Sequence, residues 1–254
     1  MNEPTPTIRF MTWNIHGALG RNPRFDLPGV VELIGRWNPD IVALQEIDSR
    51  RQPGKGEDPF MLLQHALGKH GIAARSIINA DGHYGQMLIS CCPILAGEIH
   101  DISTPEREPR RAIRAEIETP AGTARVIATH LGLSIGERRQ QARLLLTLVG
   151  APDMTTIMLG DFNDWFWAGS VRAVLAGELP GRSRFRTFPS VFPLLRLDRI
   201  YCRPRDAVRR LFTDRQARHF SDHLPVIADA ALVDRPPRRA DTGSAQLTED
   251  STEA

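Results

Sequence analysis

The chain contains 254 residues, of which 41% are hydrophobic and 24% are charged, and its formal net charge is +2. A chain of this length can bury a sizeable core, and its ordinary composition argues against disorder as the default state. The near balance of basic and acidic residues neither requires nor excludes nucleic acid, because a local basic face matters more than the total charge.

The first part of the chain alternates between strand and helix patterns. IRFMTWN at 8–14 combines β-forming residues with the alternation of a strand, and IVALQE at 41–46 is the continuous apolar run of a buried strand. A helix is predicted between them in the stretch 27–40, with Pro28 near its start and Asn38-Pro39 ending it. A second helix is predicted at 59–71, where Gly71 closes it.

The remainder of the chain is richer in strands. Strands are predicted at 74–79, 85–90, 94–102, 111–118, 124–132, 155–161, 196–202 and 225–232. Helices are predicted at 136–150, which is strongly amphipathic, and at 168–179. Some strands follow one another through short turns and others are separated by helices. We therefore expect a single α/β domain, built as a two-sheet sandwich with helices outside.

The C-terminal segment differs in composition from the rest. From Asp234 onward the sequence is poor in apolar residues and rich in charged and small polar ones. Such a segment cannot bury enough surface to offset the entropy of ordering. The globular domain is expected to span 1–233, followed by a disordered tail at 234–254.

Cysteine spacing and the N-terminal residues bear on the cellular compartment. Cys91 and Cys92 are adjacent and Cys202 is distant, which does not form a disulfide framework. The sequence MNEPTPTIRFMTWN lacks the basic and then apolar layout of a signal peptide, and no uncharged apolar run is long enough to cross a bilayer. We expect a cytoplasmic protein that is not an integral membrane protein.

The stretch MLGDFNDW at 158–165 places Asp161, Asn163 and Asp164 directly after a strand-like apolar run. Carboxylates at the end of a buried strand are costly unless positive charge lies against them. The stretch is either a turn, in which Asp and Asn satisfy backbone donors, or a metal site. A calcium loop of the EF-hand type is rejected, because Phe166 stands where a glycine is needed and a strand precedes the loop.

Other apolar runs also end in polar residues that could serve a metal site or proton transfer. They are Asn14, Glu46, His130, Asp161, Asn163, Asp198, Asp222 and His223. If these strands share a sheet with their ends together, the side chains converge on one cleft. Carboxylate and amide oxygens suit Mg²⁺, with Mn²⁺ as an alternative, and the histidines are then free for proton transfer.

Each residue taken singly has an ordinary structural alternative. Asn14 could satisfy a turn at the end of its strand, and Asp198 could pair with a neighbouring arginine. His130 could be a satisfied core histidine, and the pair Asp222 and His223 could form a turn before the last strand. Glu46 after a fully apolar run is harder to explain structurally, because a buried unpaired carboxylate is expensive.

Five motifs in chain order carry a family resemblance: TWNIHG, LQEI, GDFND, RLDRIY and FSDHLPV. Together they resemble the endonuclease/exonuclease/phosphatase superfamily, the deoxyribonuclease I-like proteins, over residues 8–232. The region RTFPSVFPLLRLDRIY is most similar to small bacterial members. The resemblance implies a four-layered α/β/β/α sandwich of two mostly antiparallel sheets flanked by helices. It also implies hydrolysis of a phosphoester, usually with Mg²⁺.

The resemblance further implies a role for each matching residue. Glu46 resembles the principal metal carboxylate, with Asn14 beside it and Asp222 as a further carboxylate on the metal side. The remaining assignments are Asp161 for the attacking water, Asn163 for the phosphate, Asp198 and His223 as an Asp–His pair, His130 as a second candidate acid, and one of Arg107, Arg110 and Arg111 for a phosphate contact. The repeated arginines of EREPRRAI leave that last register open.

These assignments predict a metal-dependent phosphoesterase, and more specifically a phosphodiesterase. Its expected partner is a phosphodiester substrate, which the sequence leaves open among DNA, a phospholipid head group and a small molecule; no stable protein partner is predicted. The histidine of THLG disfavours the abasic-site repair branch, which generally lacks it. The alternative is a non-catalytic relative that binds phosphate or protein on the same scaffold.

Two further patterns receive a structural interpretation. In GRSRFRTFPS, Arg182, Arg184 and Arg186 alternate, which favours a solvated loop face over a phosphate-facing stripe. The aromatic residues of DWFWAG are interpreted as core packing for the following helix, with a substrate-docking rim as the alternative. His16 has no partner among the motif residues, and no role is assigned to it.

Overall fold

The computed structural model describes residues 6–19, 25–51, 56–165 and 170–232, so the predicted tail at 234–254 lies outside the described residues. Within these ranges the first sheet contains β1 (Thr7–Asn14), β2 (Ile41–Asp48), β3 (His70–Asn79), β4 (Gly82–Ser90), β11 (Val208–Phe212) and β12 (Val226–Ala231). The second sheet contains β5 (Ile94–Asp101), β6 (Arg111–Thr119), β7 (Gly122–His130), β8 (Thr155–Asp161), β9 (Gly181–Arg182) and β10 (Asp198–Arg203). The α-helices are α1 (Leu27–Trp37), α2 (Pro59–Leu67), α3 (Ile135–Val149) and α4 (Ser170–Leu175).

The strand order explains why two mixed sheets form. The first sheet runs β11-β12-β1-β2-β4-β3 and the second runs β5-β6-β7-β8-β10-β9. The pairs β1–β2 and β7–β8 are parallel, because α1 and α3 carry the chain back between their strands. The other neighbouring pairs in the two sheets are antiparallel.

Three apolar clusters arrange these elements in four layers. The central cluster lies between the sheets and includes Phe10 of β1 and Leu159 of β8. A second cluster packs the first sheet against α1 and α2, and a third packs the other sheet against α3 and α4. The predicted α/β/β/α sandwich is therefore confirmed. None of the helices in the described ranges is long and apolar enough to span a membrane.

Burial accounts for the sequence patterns of individual strands. β8 is buried along its whole length and β2 along nearly all of it, because each has the opposite sheet on one face and helices on the other. Their runs are consequently apolar without alternation. β5 lies at a sheet edge and is largely exposed, which permits residues such as Glu98 in the strand.

Several boundaries differ from the prediction: the fourth helix, predicted at 168–179, is Ser170–Leu175, and the second helix differs at a glycine pair. The second helix ends at Leu67 rather than at Gly71, because Gly68 follows it and Gly71 already pairs with Ile89 in the sheet. The strands β9 and β11 are absent from the prediction, because one is two residues long and the other is interrupted by a register shift.

Gly160 lies where β7 and β8 approach closely, one residue before the acidic end of β8. Its φ is +152°, and a Cβ atom there would stand 1.9 Å from the carbonyl oxygen of Thr129. We expect Gly160→Ala to lower the free energy of unfolding by about 2–4 kcal/mol, measured by urea denaturation. Gly136→Ala in α3 is the matched control, because a Cβ there meets nothing within 4 Å and the helix gains a better helix former. Equal stability of the two variants would contradict the expectation.

Candidate active site

Residues from both sheets meet at one edge of the sandwich. In the second sheet His130 pairs in register with Asp161, and Asp161 pairs with Asp198. The first sheet contributes Asn14, the last residue of β1, and Glu46, near the end of β2. The predicted convergence of strand ends therefore takes place across the gap between two sheets rather than within one sheet.

Asn14 joins the two halves of this cluster. Its Nδ2 donates to Glu46 Oε1 at 2.8 Å and to Asp161 Oδ2 at 3.0 Å, and its Oδ1 accepts from the backbone N–H of His16 at 3.0 Å. The side chain is buried, so these bonds are shielded from water. Asn14 thus holds two carboxylates close together, at a cost in repulsion that a cation would relieve.

Glu46 is placed in the cleft by an irregular stretch of β2. Its φ is +57°, and the register between β2 and β4 shifts between Leu44 and Ile47. Non-glycine residues in this region of φ are uncommon and concentrate at functional sites. Burial raises the pKa of Glu46, but hydrogen bonds from His16 and Asn14 and the nearby histidines outweigh it, so the pKa lies well below its usual range. Glu46 is therefore anionic.

His16 belongs to the same cluster, although the sequence interpretation assigned it no role. Its Nδ1 lies 3.4 Å from Glu46 Oε2 and 3.6 Å from Asp222 Oδ1. The contact with Glu46 raises the pKa of His16 despite partial burial. The available signal was its position in TWNIHG, two residues after Asn14, where the chain turns into a short 3₁₀ helix at His16–Ala18.

Asp198 and His223 form a buried pair. His223 Nδ1 lies 2.8 Å from Asp198 Oδ2, and its Nε2 lies 3.9 Å from Asp222 Oδ1. Ser221 fixes the loop, because its Oγ donates to the carbonyl of Asn14 and accepts from the N–H of His223. Burial disfavours the imidazolium, but the charges of Asp198 and Asp161 outweigh it and raise the pKa of His223 to about 10.

Asp161 is held by two donors at the centre of the cluster. Its Oδ1 accepts from the backbone N–H of Asn163 at 2.9 Å, and its Oδ2 accepts from Asn14. Burial and the charge of Asp198 raise the pKa of Asp161 to about 6. Asn163 adopts φ +48°, donates through Nδ2 to the carbonyl of Leu131 and accepts from Trp165 Nε1. These contacts fix the orientation of the Asn163 amide beside the carboxylate.

His130 is a neutral histidine whose tautomer is set by Arg110. Arg110 Nη1 lies 3.0 Å from His130 Nδ1, and a guanidinium can only donate, so the imidazole proton is on Nε2. That atom lies 3.7 Å from Asp161 Oδ2 and 3.9 Å from Glu46 Oε1. Burial and the charge of Arg110 lower the pKa of His130 to about 3.

The three arginines of EREPRRAI lie in different places. Arg110 is buried against His130 and Glu108, and thus contacts the cluster. The Arg111 guanidinium instead contacts Asp101 and Ser103. Arg107 lines a cavity of about 320 Å³ together with Arg110 and Leu133, so it lies near Arg110.

The donor set fits a hard divalent cation. Buried oxygens of Asp198 and Asp222 make no hydrogen bond within the described ranges, and four carboxylates stand around one cleft. One ligand atom each from Asp161, Asp198 and His223 also lie within 4.8 Å of one another. A protonated His223 paired with Asp198 is a poor ligand, which favours the side of the cleft where Glu46 stands.

The pKa values of His130 and His223 are expected to be shifted in opposite directions. In the metal-free chain, the imidazole NMR shifts should show His130 neutral throughout the neutral and mildly acidic range, and His223 protonated above pH 8. Asp198→Asn removes the partner of His223 and should lower its pKa while leaving His130 neutral. Two histidines that both titrate near 6.5 would contradict this assignment.

The same shifts predict how stability depends on pH. Because folding raises the pKa of His223, its contribution to stability is complete below about 6.5 and is lost as the pH rises through about 10. Folding lowers the pKa of His130, so its contribution is complete above about 6.5 and is lost as the pH falls toward 3.

Sequence comparisons place this geometry in a family. The family model described as "Endonuclease/Exonuclease/phosphatase family" matches residues 11–223. The chain is 34% identical over 245 residues to the uncharacterized protein YbhP of Escherichia coli K12, covering 89% of this chain and 97% of YbhP. It is 28% identical over 169 residues to tyrosyl-DNA phosphodiesterase 2 of Mus musculus, covering 63% of this chain and 42% of that enzyme.

Solved structures share the fold at lower identity. An endonuclease/exonuclease/phosphatase from Beutenbergia cavernae DSM 12333 superposes with a TM-score of 0.73 at 21% identity, covering 89% of this chain and 72% of that chain. The mannosyl-6-phosphatase Bt3783 of Bacteroides thetaiotaomicron gives 0.68 at 18% identity, covering 89% and 99%. The D. rerio TDP2 complex with a single strand DNA product gives 0.63 at 18% identity, also covering 89% and 99%.

Proposed function

Because the chain belongs to the endonuclease/exonuclease/phosphatase family, we propose that it is a divalent-metal-dependent phosphoesterase that hydrolyses phosphodiesters. The observation that carries the proposal is the Asn14 bridge between Glu46 and Asp161, with the Asp198–His223 pair beside it. Together these groups provide negatively charged ligands for a cation, a carboxylate that can act as a base and a positively charged hydrogen-bond donor, all around one cleft.

Glu46 is proposed as the principal metal carboxylate, with Asp222 and Asn14 flanking it. When bound, Mg²⁺ or Mn²⁺ supplies positive charge that offsets the charge developing on the phosphate oxygens. Asn14 Oδ1 already accepts a hydrogen bond from the backbone N–H of His16. The main proposed role of Asn14 is therefore to position Glu46 rather than to bind the metal. His16 stands against both Glu46 and Asp222 and limits how far these side chains can separate.

Asp161 is proposed as the group that orients the attacking water and accepts its proton. A base works best when its pKa lies near the working pH, and a pKa of about 6 meets that condition. Hydrogen bonds from the Asn14 side chain and the Asn163 backbone N–H fix the Asp161 carboxylate, so it needs little reorientation during the reaction. The attack breaks the phosphorus–oxygen bond opposite to the water.

The surrounding donors are proposed to stabilise the phosphate oxygens. His223 is cationic, and because Asp198 holds Nδ1, its Nε2–H is free for a phosphate oxygen or for the leaving oxygen. His130 is neutral, so we assign it as a hydrogen-bond donor through Nε2 rather than as a proton source. Arg110 supports His130, and Asn163 stands next to Asp161 as a phosphate contact.

Two of the named relatives bear on the choice of substrate class. One is a tyrosyl-DNA phosphodiesterase, and a structural neighbour is a mannosyl-6-phosphatase. We favour a phosphodiester because the sequence similarity extends to the phosphodiesterase, whereas the phosphatase shares the fold at 18% identity. DNA, a phospholipid head group and a small phosphodiester are the candidate substrates.

The test is hydrolysis by the purified full-length chain of four substrates: supercoiled plasmid, an abasic-site duplex, sphingomyelin and bis(p-nitrophenyl) phosphate. Each is incubated with Mg²⁺, with Mn²⁺ and with EDTA, beside the Asp161→Ala and His223→Ala variants. We expect metal-dependent turnover of at least one substrate, lost in both variants. A folded protein that cleaves none of them and binds no metal would support the alternative of a non-catalytic relative.

A further inference from the structure

A cavity of about 470 Å³ beside the candidate active site is lined by an unusual number of arginines. We call it the arginine pocket, and its basic side chains are Arg172, Arg182, Arg184, Arg186, Arg196 and Arg199. Asp164 is the acidic side chain among the described lining residues, so the formal surplus is five positive charges. Its volume lies within the range of small-molecule sites.

Trp165 forms a wall between this pocket and the catalytic cleft. It lines the pocket, and its Nε1 donates to Asn163 Oδ1 at 3.3 Å. Its ring also stands 6.3 Å from Phe188, whose ring lies 4.9 Å from that of His223. A ligand in the pocket would therefore be separated from the reacting centre by little more than one side chain.

The strand β10 contributes side chains to both the catalytic cleft and the arginine pocket. Successive residues of a strand face opposite sides, so Asp198 faces the cleft and Arg199 faces the pocket. Arg182 of β9 pairs with Tyr201 at the edge of the same sheet. The predicted solvated loop face of Arg182, Arg184 and Arg186 is thus one wall of a cavity.

The clustering of guanidinium groups in the arginine pocket is energetically unfavourable without an anion. Arg199 is 8% exposed, and its Nε makes no hydrogen bond within the described ranges. Burial lowers the pKa of Arg182, and the neighbouring Arg172, Arg184 and Arg199 lower it further by repulsion. Buried donors without partners and clustered like charges are both destabilising, and a bound anion relieves both.

We propose that the arginine pocket is a second anion subsite, which binds a phosphate group of the substrate other than the one that is hydrolysed. This inference rests on the proposed phosphodiesterase function. Guanidinium groups bind phosphate through paired hydrogen bonds, and several of them can share one phosphate. Trp165 and Leu195 add an apolar wall for the organic group that links the two phosphates. The substrate therefore carries at least two phosphates.

The first test measures anion binding without catalysis. Inorganic pyrophosphate is titrated by calorimetry into the full-length chain in EDTA, where the carboxylates of the catalytic cleft repel anions. We expect Arg182→Gln/Arg199→Gln to weaken binding at least about tenfold. The matched control is Arg139→Gln/Arg143→Gln, which removes the same charge from the exposed face of α3. Equal loss in both variants would overturn the subsite.

A second variant keeps the test decisive if the first variant does not fold. Arg184 and Arg186 are exposed, so Arg184→Gln/Arg186→Gln should fold even if a substitution at the buried Arg199 does not. We expect it to weaken pyrophosphate binding as well, with an unchanged circular dichroism spectrum. Unchanged binding in this variant and in the control would overturn the proposal.

The second test compares two substrates that differ by one phosphate. Thymidine 5′-(p-nitrophenyl phosphate) is hydrolysed with Mg²⁺ beside the same compound carrying a 3′-phosphate. We expect kcat/KM to be at least about tenfold higher for the second compound, and the ratio to fall toward one in Arg182→Gln/Arg199→Gln. Competition by a single-stranded oligonucleotide then tests the source of the second phosphate. Inhibition at concentrations well below those at which pyrophosphate inhibits favours a nucleic acid, and inhibition no stronger than that of pyrophosphate favours a small polyphosphate.

The outcomes separate the two proposals. Turnover of both compounds at equal kcat/KM would overturn the subsite and leave the phosphodiesterase function standing. Pyrophosphate binding that depends on the pocket, without hydrolysis of any substrate, would overturn the phosphodiesterase function, and the second-phosphate role with it.

Discussion

Asp161→Asn is expected to reduce kcat by about 10³-fold, with the fold intact. Asparagine keeps the size of the side chain but cannot accept a proton from water. It also places an amide where Asn14 Nδ2 and the Asn163 N–H now donate to carboxylate oxygens. The measurement is single-turnover hydrolysis of bis(p-nitrophenyl) phosphate at saturating Mg²⁺, so that chemistry is separated from binding and release.

The control for Asp161→Asn is Asp206→Asn. Asp206 has an exposed side chain next to Arg209, far from the sheet edge that carries the site, and its replacement should leave kcat unchanged. Urea denaturation checks that both variants remain folded. If Asp161→Asn retained more than about a tenth of kcat, another group would have to accept the proton, because a single general base contributes at least about 10²-fold.

The sequence was informative where a buried strand ends in a charged residue. Glu46, Asp161 and His130 follow apolar runs that have no surface face. Because burying a polar side chain costs free energy unless it has a partner, each of them indicates a polar cluster or a ligand. The alternating strand and helix patterns predicted a two-sheet sandwich with outer helices, and the four-layered arrangement was implied by the family resemblance of the motifs. These are local signals, and the structure preserves them because β2, β7 and β8 are central strands.

The parts that sequence could not supply depend on contacts between distant segments. Nothing local separates Arg110 from Arg111; what separates them is that one packs on His130 and the other on Asp101. The arginine pocket likewise assembles side chains from α4, β9, β10 and the loops beside them. Of its six arginines, only Arg182, Arg184 and Arg186 form a pattern in the sequence. Such a short-range pattern cannot distinguish an exposed face from a cavity wall.

The division of the site between two sheets has an energetic consequence. Asn14 and Glu46 belong to one sheet and Asp161 to the other, and the hydrogen bonds of Asn14 cross the gap. The apolar cluster between the sheets therefore sets the separation of the two carboxylates. The geometry of the candidate site is therefore coupled to core packing, and Gly160 lies at the close approach of β7 and β8 directly before Asp161.

Glu46→Gln is expected to raise the Mg²⁺ concentration for half-maximal activity at least about tenfold, and to lower kcat at saturating Mg²⁺ about 10²-fold. Glutamine keeps the length of the side chain and removes its charge. Mn²⁺ binding followed by electron paramagnetic resonance provides a readout that does not depend on turnover, and Glu98→Gln on the exposed edge strand is the matched control.

The result also decides between two metal positions. If Glu46→Gln left Mn²⁺ affinity unchanged while Asp198→Asn abolished it, the cation would lie in the group of Asp161, Asp198 and His223. His223 would then have to be deprotonated to act as a ligand, and its high pKa in the metal-free chain would make metal binding strongly pH-dependent. A cation held by Glu46 would not require deprotonation of His223, and the Glu46 carboxylate is already ionised near neutral pH.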